Sequence, residues 1–170
     1  MAWSTPQNFT TGQLVDEADM DAISDNFAAL LPPDQVEWDT WTPSLTNITQ
    51  GNGTVATAYT QVGKMVICQF LFTFGSSGSA MGTNPTISLP VTATTPLLAS
   101  VQTVGRCHMV DGGATNYHGG TRLNSTTLLQ AFEFNVDGSN NIVSGAIGST
   151  SPFTWANTDT LYMDAVYEAA

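Results

Sequence analysis

The two histidines are the first residues in this sequence that could do chemistry. His108 and His118 are ten positions apart, and no cysteine or glutamate pair accompanies them at a spacing that zinc sites use. Both are interpreted as ordinary strand or loop residues. The sequence therefore predicts neither a metal site nor a cofactor.

The carboxylates give no catalytic arrangement either. Asp159 and Asp164 are five residues apart at the start of an alternating strand, which places them on opposite faces. A glycosidase needs two carboxyl groups that flank the same glycosidic bond. Asp111 and Asp137 stand in Asp-Gly dipeptides, where turn geometry explains them. With no nucleophile elbow, P-loop or dinucleotide fingerprint present, we expect a non-enzymatic protein.

The elements that would carry these residues are mostly strands. From Trp38 onward the apolar residues alternate with period two, interrupted by turn residues such as Gln50-Gly51-Asn52-Gly53. The pattern predicts an antiparallel β-sandwich or jelly roll of about eight or nine strands. The strands are expected near residues 39–48, 54–61, 64–74, 86–89, 98–110, 117–123, 127–134, 142–147 and 160–168.

The clearest predicted strand covers residues 64–74. Val66, Cys68, Phe70, Phe72 and Phe74 share one face, and the opposite face is also largely apolar at its start. A strand that is apolar on both faces is expected in the interior of the sheet. The alternation also explains the cysteine as a core residue, because two cysteines, the other being Cys107, do not make a disulfide framework.

One short helix is predicted before the strands, over residues 16–31. Asp16 suits its N-cap and Pro32-Pro33 ends it. Its large apolar residues are spaced three, four and three, as in two heptads of a coiled-coil seam: Met20, Ile23, Phe27 and Leu30. The same spacing also suits a helix packed on its own domain. Residues 1–37 are thus interpreted as an attachment segment and residues 38–170 as the β-domain.

Charge is concentrated in that segment. The chain has 14 acidic and 3 basic residues, a net charge of −11, and eight of the acids lie between Asp16 and Asp39. A solvated helix face, a calcium site and a contact with a basic partner all remain open for this run. Because the bases Lys64, Arg106 and Arg122 are so few, we expect no nucleic-acid partner. No apolar run approaches membrane length and no signal peptide is recognisable, so membrane insertion is not expected.

The order of motifs resembles that of small structural proteins of tailed bacteriophages. The resemblance begins with Trp3, Thr11-Gly12-Gln13-Leu14-Val15, Ala18-Asp19-Met20 and Ser24-Asp25-Asn26-Phe27. It continues through Trp41-Thr42-Pro43-Ser44-Leu45, Gly53-Thr54, Ala58-Tyr59-Thr60, Val62-Gly63-Lys64-Met65-Val66 and Ile87-Ser88-Leu89-Pro90 to Trp155, Asp159-Thr160-Leu161 and Tyr167. Two departures are Ser24, where the family has a basic residue, and Thr158-Asp159, where it has Gly-Asp.

The resemblance implies a virion component that is assembled in the host cytoplasm and forms a homotrimer with other virion proteins as neighbours. It would be a minor tail or fibre-tip protein; the alternative is a head-decoration or head-fibre protein on the capsid. Trp3 and the four seam residues are the expected attachment site. Aromatic and amide side chains that could contact a host-surface glycan are Asn116, Tyr117, His118 and Trp155. A carbohydrate-processing enzyme is the remaining alternative from another class.

Overall fold

The computed structural model describes residues 20–21, 38–95 and 102–170. The chain divides into two compact units, Met1–Glu37 and Trp38–Ala170. In the first unit, Met20 and Asp21 are helical and exposed. The rest of the predicted helix over residues 16–31 lies outside the described residues, together with the predicted attachment residues Trp3, Ile23, Phe27 and Leu30.

The second unit is mainly β, as the sequence predicts, and every strand pair in its described part is antiparallel. Nine strands are present there: β1 (Leu45–Thr49), β2 (Thr54–Val62), β3 (Met65–Thr73), β4 (Ala80–Ser88), β5 (Thr103–Val110), β6 (Asn116–Leu123), β7 (Leu128–Val136), β8 (Ile142–Gly145) and β9 (Thr160–Glu168). They follow one hydrogen-bonded path, β1-β4-β7-β6-β5-β9-β3-β2, with β8 paired to β7.

The predicted alternation of β3 and β9 is confirmed. In β3, Val66, Cys68, Phe70 and Phe72 are buried, and the strand lies between β2 and β9. Each fully buried phenylalanine contributes roughly 2 to 3 kcal/mol to folding. In β9 the buried side chains are likewise every second residue: Leu161, Met163, Ala165 and Tyr167. The inner faces of these two strands therefore supply one wall of the core.

The sequence prediction for β4 is wrong in length. The alternation predicts a strand from Thr86 to Leu89, whereas β4 begins at Ala80 and ends at Ser88. Asn84 has a φ of 55° and precedes Pro85, so the residue types here read as a turn. Pairing overrides them, because Met81 and Thr86 both pair with β1.

The sheet curls so that both ends of the strand order contribute to one core. Ile87 of β4 and Phe72 of β3 belong to the same cluster of buried side chains. The segment before β1 also connects the two ends. Asp39 exchanges two backbone hydrogen bonds with Tyr59 of β2, of 2.7 and 2.8 Å, while Leu45 pairs with Ile87. The predicted first strand is thus divided between the two edges of the sheet.

A β-bulge in β5 brings three strands unusually close together. Thr103 pairs with Arg122 and Gly105 with Thr121, so one extra residue lies between them in β5. The Thr121 hydroxyl donates to the Asp164 carbonyl oxygen of β9 at 2.6 Å. A β-carbon on Gly105 would overlap that same carbonyl oxygen. Only glycine lets β5 approach β9 at this point.

We expect Gly105→Ala to lower the free energy of unfolding by about 3 kcal/mol, because backbone atoms cannot move aside as a flexible side chain would. Urea denaturation followed by tryptophan fluorescence measures the change. Gly113→Ala is the matched control, since nothing lies within 4 Å of a β-carbon at Gly113. It should change the stability by less than about 0.5 kcal/mol. Equal stabilities of the two variants would contradict the close approach.

Candidate functional site

Two of the four predicted receptor-contact residues lie in an aromatic cluster. The Tyr117 ring stacks on Phe153 with 5.2 Å between centroids. The Trp155 ring lies 4.4 Å from that of Phe153 and 4.9 Å from that of Phe74. The Trp155 indole N–H also donates to the Gly148 carbonyl oxygen at 2.9 Å. Both residues are half-buried, so packing occupies much of the ring surface that a sugar would need.

The other two predicted contact residues are exposed on the opposite face of β6. Asn116 and His118 alternate with Tyr117 and therefore project away from the aromatic cluster. His118 pairs across strands with His108, and their rings are stacked with centroids 4.9 Å apart. The structure thus separates the four predicted residues into two pairs. Within the described ranges, no group of three His, Cys, Asp or Glu side chains is placed to hold a metal ion.

The predicted separation of Asp159 and Asp164 is confirmed. Asp159 is buried, and its carboxylate accepts hydrogen bonds from the backbone N–H groups of Gly112, at 2.8 Å, and Ala156. Asp164 faces outward, where the Arg106 guanidinium donates to its carboxylate at 2.9 Å. The two groups hold different parts of the fold together.

Asp137 has the turn role that its Asp-Gly dipeptide predicts. Its carboxylate accepts hydrogen bonds from the backbone N–H groups of Ser139 and Asn141, at 2.8 and 2.9 Å, and from the Asn141 side-chain amide. These bonds, first of all that from the Asn141 side chain, stabilise the charged form and lower the pKa of Asp137. The same network closes the β7–β8 hairpin.

The outward side of β2, β3 and β9 is the first of two exposed apolar surfaces, here called the outer face. Cross-strand pairing brings Val62 beside Met65, and Ile67 beside Val166. The exposed fractions are 54% for Val62, 48% for Met65 and 50% for Val166. A depression of about 280 Å³ lies among Lys64, Met65, Val166, Tyr167 and Glu168, and another of about 240 Å³ is lined by residues that include Ala56, Ala58, Leu71 and Tyr162. This apolar patch is therefore a candidate contact surface.

The hairpin of β7 and β8 carries the second surface, here called the hairpin surface. It consists of Phe134, Val136 and Ile142, which lie on one side of the hairpin because Val136 pairs with Ile142. Their exposed fractions are 53%, 60% and 76%. All residues from 134 to 144 are exposed. An apolar ribbon that its own domain leaves uncovered is a second candidate contact surface.

Sequence reasoning did not identify either surface, although a signal was present for each. From the sequence, the apolar second face of residues 64–74 indicates only an interior strand. The strand is interior to the sheet, yet that face stays exposed at Met65 and Leu71. The hairpin was visible as apolar residues flanking Asp137-Gly138. Alternation reveals two faces of a strand, but tertiary packing decides whether the second one is covered.

Comparisons with known proteins leave the function to be argued from these residues. No protein-family model, curated protein or solved structure matches the chain. In the part of the chain that the structure describes, no helix is long and apolar enough to cross a membrane.

The two cysteines are expected to be unreactive in the folded protein. Cys68 and Cys107 are free and buried, and burial raises the pKa of both thiols, that of Cys68 from 9.0 to about 12. A maleimide reagent at pH 8 should label neither thiol in native buffer and both in denaturant, as counted by mass spectrometry. Because the pKa of Cys68 is higher in the folded chain, its ionisation favours the unfolded chain. The free energy of unfolding should therefore be unaffected by this thiol below pH 9 and should fall as the pH rises towards 12. Rapid labelling of the native chain would contradict this burial.

Proposed function

We propose that this chain is a non-enzymatic structural component of a tailed-phage virion. It would be a minor tail or fibre-tip protein that is mounted by residues 1–37 and exposes its β-domain. The observation that carries the proposal is that apolar side chains are exposed on the domain, among them those of Val62, Met65, Val166 and Ile142. The carboxylates of Asp159 and Asp164, in contrast, form hydrogen bonds that hold the fold together. Such a distribution suits a protein whose work is contact with other proteins.

The carboxylates support a non-enzymatic role. A glycosidase needs one carboxyl group as acid and a second as base or nucleophile. Here Asp159 accepts hydrogen bonds from backbone N–H groups and Asp164 is paired with Arg106, so both carboxylates are already engaged. Glu133 is buried as well, and it accepts a hydrogen bond from the Ser151 hydroxyl at 3.0 Å. This pattern disfavours the carbohydrate-processing alternative. Turnover of a host polysaccharide by the purified chain would restore it.

We infer further that the curled sheet is a sandwich of the jelly-roll type. Support comes from Ile87 and Phe72, which lie in strands near opposite ends of the strand order yet share one core. A sheet with this property brings two of its inner faces together, as the layers of a sandwich do. The predicted N-terminal helix then completes the proposed design as the attachment element.

For contact with a host-surface glycan we propose the outward side of β6 near its start. Asn116 and His118 are exposed there, and their amide and imidazole groups can bond sugar hydroxyls. Tyr117 and Trp155 would support this region from within through Phe153.

Position on the particle is tested by a cryo-EM map of the virion together with host-cell binding by the full chain. We expect density for the chain on the tail, and binding that is weakened about tenfold by Asn116→Ala combined with His118→Ala, as for the loss of one or two hydrogen bonds. Asn124→Ala, an exposed change in the turn before β7, is the matched control and should bind as the wild type does. Absence of host binding, with the chain retained on tail-less heads, would favour the head-decoration alternative. Absence from the particle would contradict a virion role.

The seam of the predicted helix is tested by native mass spectrometry. We expect a multiple of the 18.0 kDa chain, three copies being implied by the family resemblance. Ile23→Asp should reduce the protein to monomer at micromolar concentration, because it would place a charge in an apolar seam. Asp25→Asn, which lies off the seam, is the control and should leave the mass unchanged. A monomeric wild type, or an oligomer that survives Ile23→Asp intact, would contradict the coiled-coil interpretation.

A further inference from the structure

We propose that the hairpin surface of one copy docks on the outer face of the next copy, so that chains contact one another head to tail. The contact would centre on the depression beside Met65 and Val166, and Val136 and Ile142 would enter it. This inference deepens the proposed function and rests on it, because it names a second contact between copies that the proposed attachment segment already brings together.

The hairpin surface needs a partner. Residues 134–144 are all exposed, and the cross-strand pair Val136 and Ile142 is more than half exposed on both sides. A two-stranded ribbon is marginally stable without a covering layer. Its end is nevertheless well defined, since Asp137 accepts hydrogen bonds from Ser139 and Asn141 across the turn. The hairpin is therefore a preformed arm with an apolar side.

The outer face cannot be the partner within the same chain. The strand order places β5 and β6 between β9, at one side of the outer face, and β7, which carries the hairpin. Two intervening strands separate the surfaces by roughly 14 Å along the sheet, and both point outward. A second copy brings the two surfaces together without changing either fold. Contacts between different surfaces of identical chains close into rings when the rotation allows it.

Charge favours this pairing between copies. Residues 40–170 hold six acids and all three basic residues, so identical β-domains repel one another weakly and should meet where negative charge is least. Two of the three basic residues flank the outer face: Lys64 lies 3.9 Å from Glu168, and Arg106 pairs with Asp164. The Lys64 and Glu168 side chains are both well exposed, so their pair is weak and leaves the ammonium group accessible. In the proposed contact, the hairpin of the second copy would bring one acid, Asp137, towards that ammonium group.

The shapes of the surfaces favour docking of the hairpin on an outer face over packing of two outer faces against each other. A two-stranded ribbon is about 10 Å wide and the three-stranded outer face about 14 Å, so the ribbon fits within it. Two outer faces of curled sheets are both convex and would touch along a narrow strip. The arm covers only about 150 Å² of the face, far below the roughly 800 Å² per partner of a stable dimer. The contact is thus a secondary one between copies that another interface already holds together.

Disulfide trapping tests this contact in the full chain. Val136→Cys places a thiol on the hairpin surface and Met65→Cys places one in the depression; both positions are exposed, and the native cysteines are buried. After subunits of the two variants are mixed under mild oxidation, we expect a linked species of twice the chain mass. Its yield should exceed by about tenfold that from Asn124→Cys mixed with Met65→Cys, because docking raises the effective concentration of the thiols. Adding Lys64→Glu should lower the yield several-fold, whereas Arg122→Glu should not.

The alternative contacts give different products. Linked dimers from Met65→Cys alone would show face against face, and those from Val136→Cys alone would show arm against arm; either as the main product overturns the proposal. A mixed yield no higher than that of the Asn124→Cys control also overturns it. Failure of trapping in a chain that is still present in particles would reject this contact and leave the virion role intact.

Discussion

The pairing of β9 with β3 is the interaction on which the rest of the domain depends. Nine consecutive residue pairs join the two strands, from Met65 and Glu168 to Thr73 and Thr160. Because side chains alternate, a slip of one residue would turn Leu161 and Met163 out to solvent and carry Asp164 into the core. The same register aims the Asp164 carbonyl oxygen at the bulge in β5. The far half of the sheet then follows from the pairing of β5 with β6.

The polar side chains that could have done chemistry serve this framework instead. Asp159 joins the segment before β9 to the turn after β5 through backbone donors, and Glu133 anchors the base of the β7–β8 hairpin through Ser151. In the described part of the chain, no buried side-chain nitrogen or oxygen lacks a hydrogen-bond partner. Buried polar groups that are all satisfied in this way stabilise a single arrangement of the strands.

The surface carries the features from which we argue function. Eight of the 14 acids precede residue 40, so the β-domain is less charged than the chain as a whole. Most of its exposed large apolar side chains lie on the outer face or the hairpin surface. Exposure of the Ile142 and Val166 side chains does not stabilise the isolated domain, because burying each of them against another group would lower the free energy. A partner that covers both surfaces explains them together. The two proposals differ in what that partner is: other virion proteins in one, and a second copy in the other.

Local pattern alone sufficed to predict β2, β3 and β9, since alternation is encoded in neighbouring residues and β-branched or aromatic side chains favour strands there. It missed residues 80–85 of β4, because Asn84-Pro85 reads as a turn until pairing with β1 overrides it. Nor could it separate Tyr117 and Trp155, which pack against Phe153, from Asn116 and His118, which remain exposed. Which face of a strand is covered depends on residues far away in the chain. For that reason only the folded sheet distinguished the core from the contact surfaces.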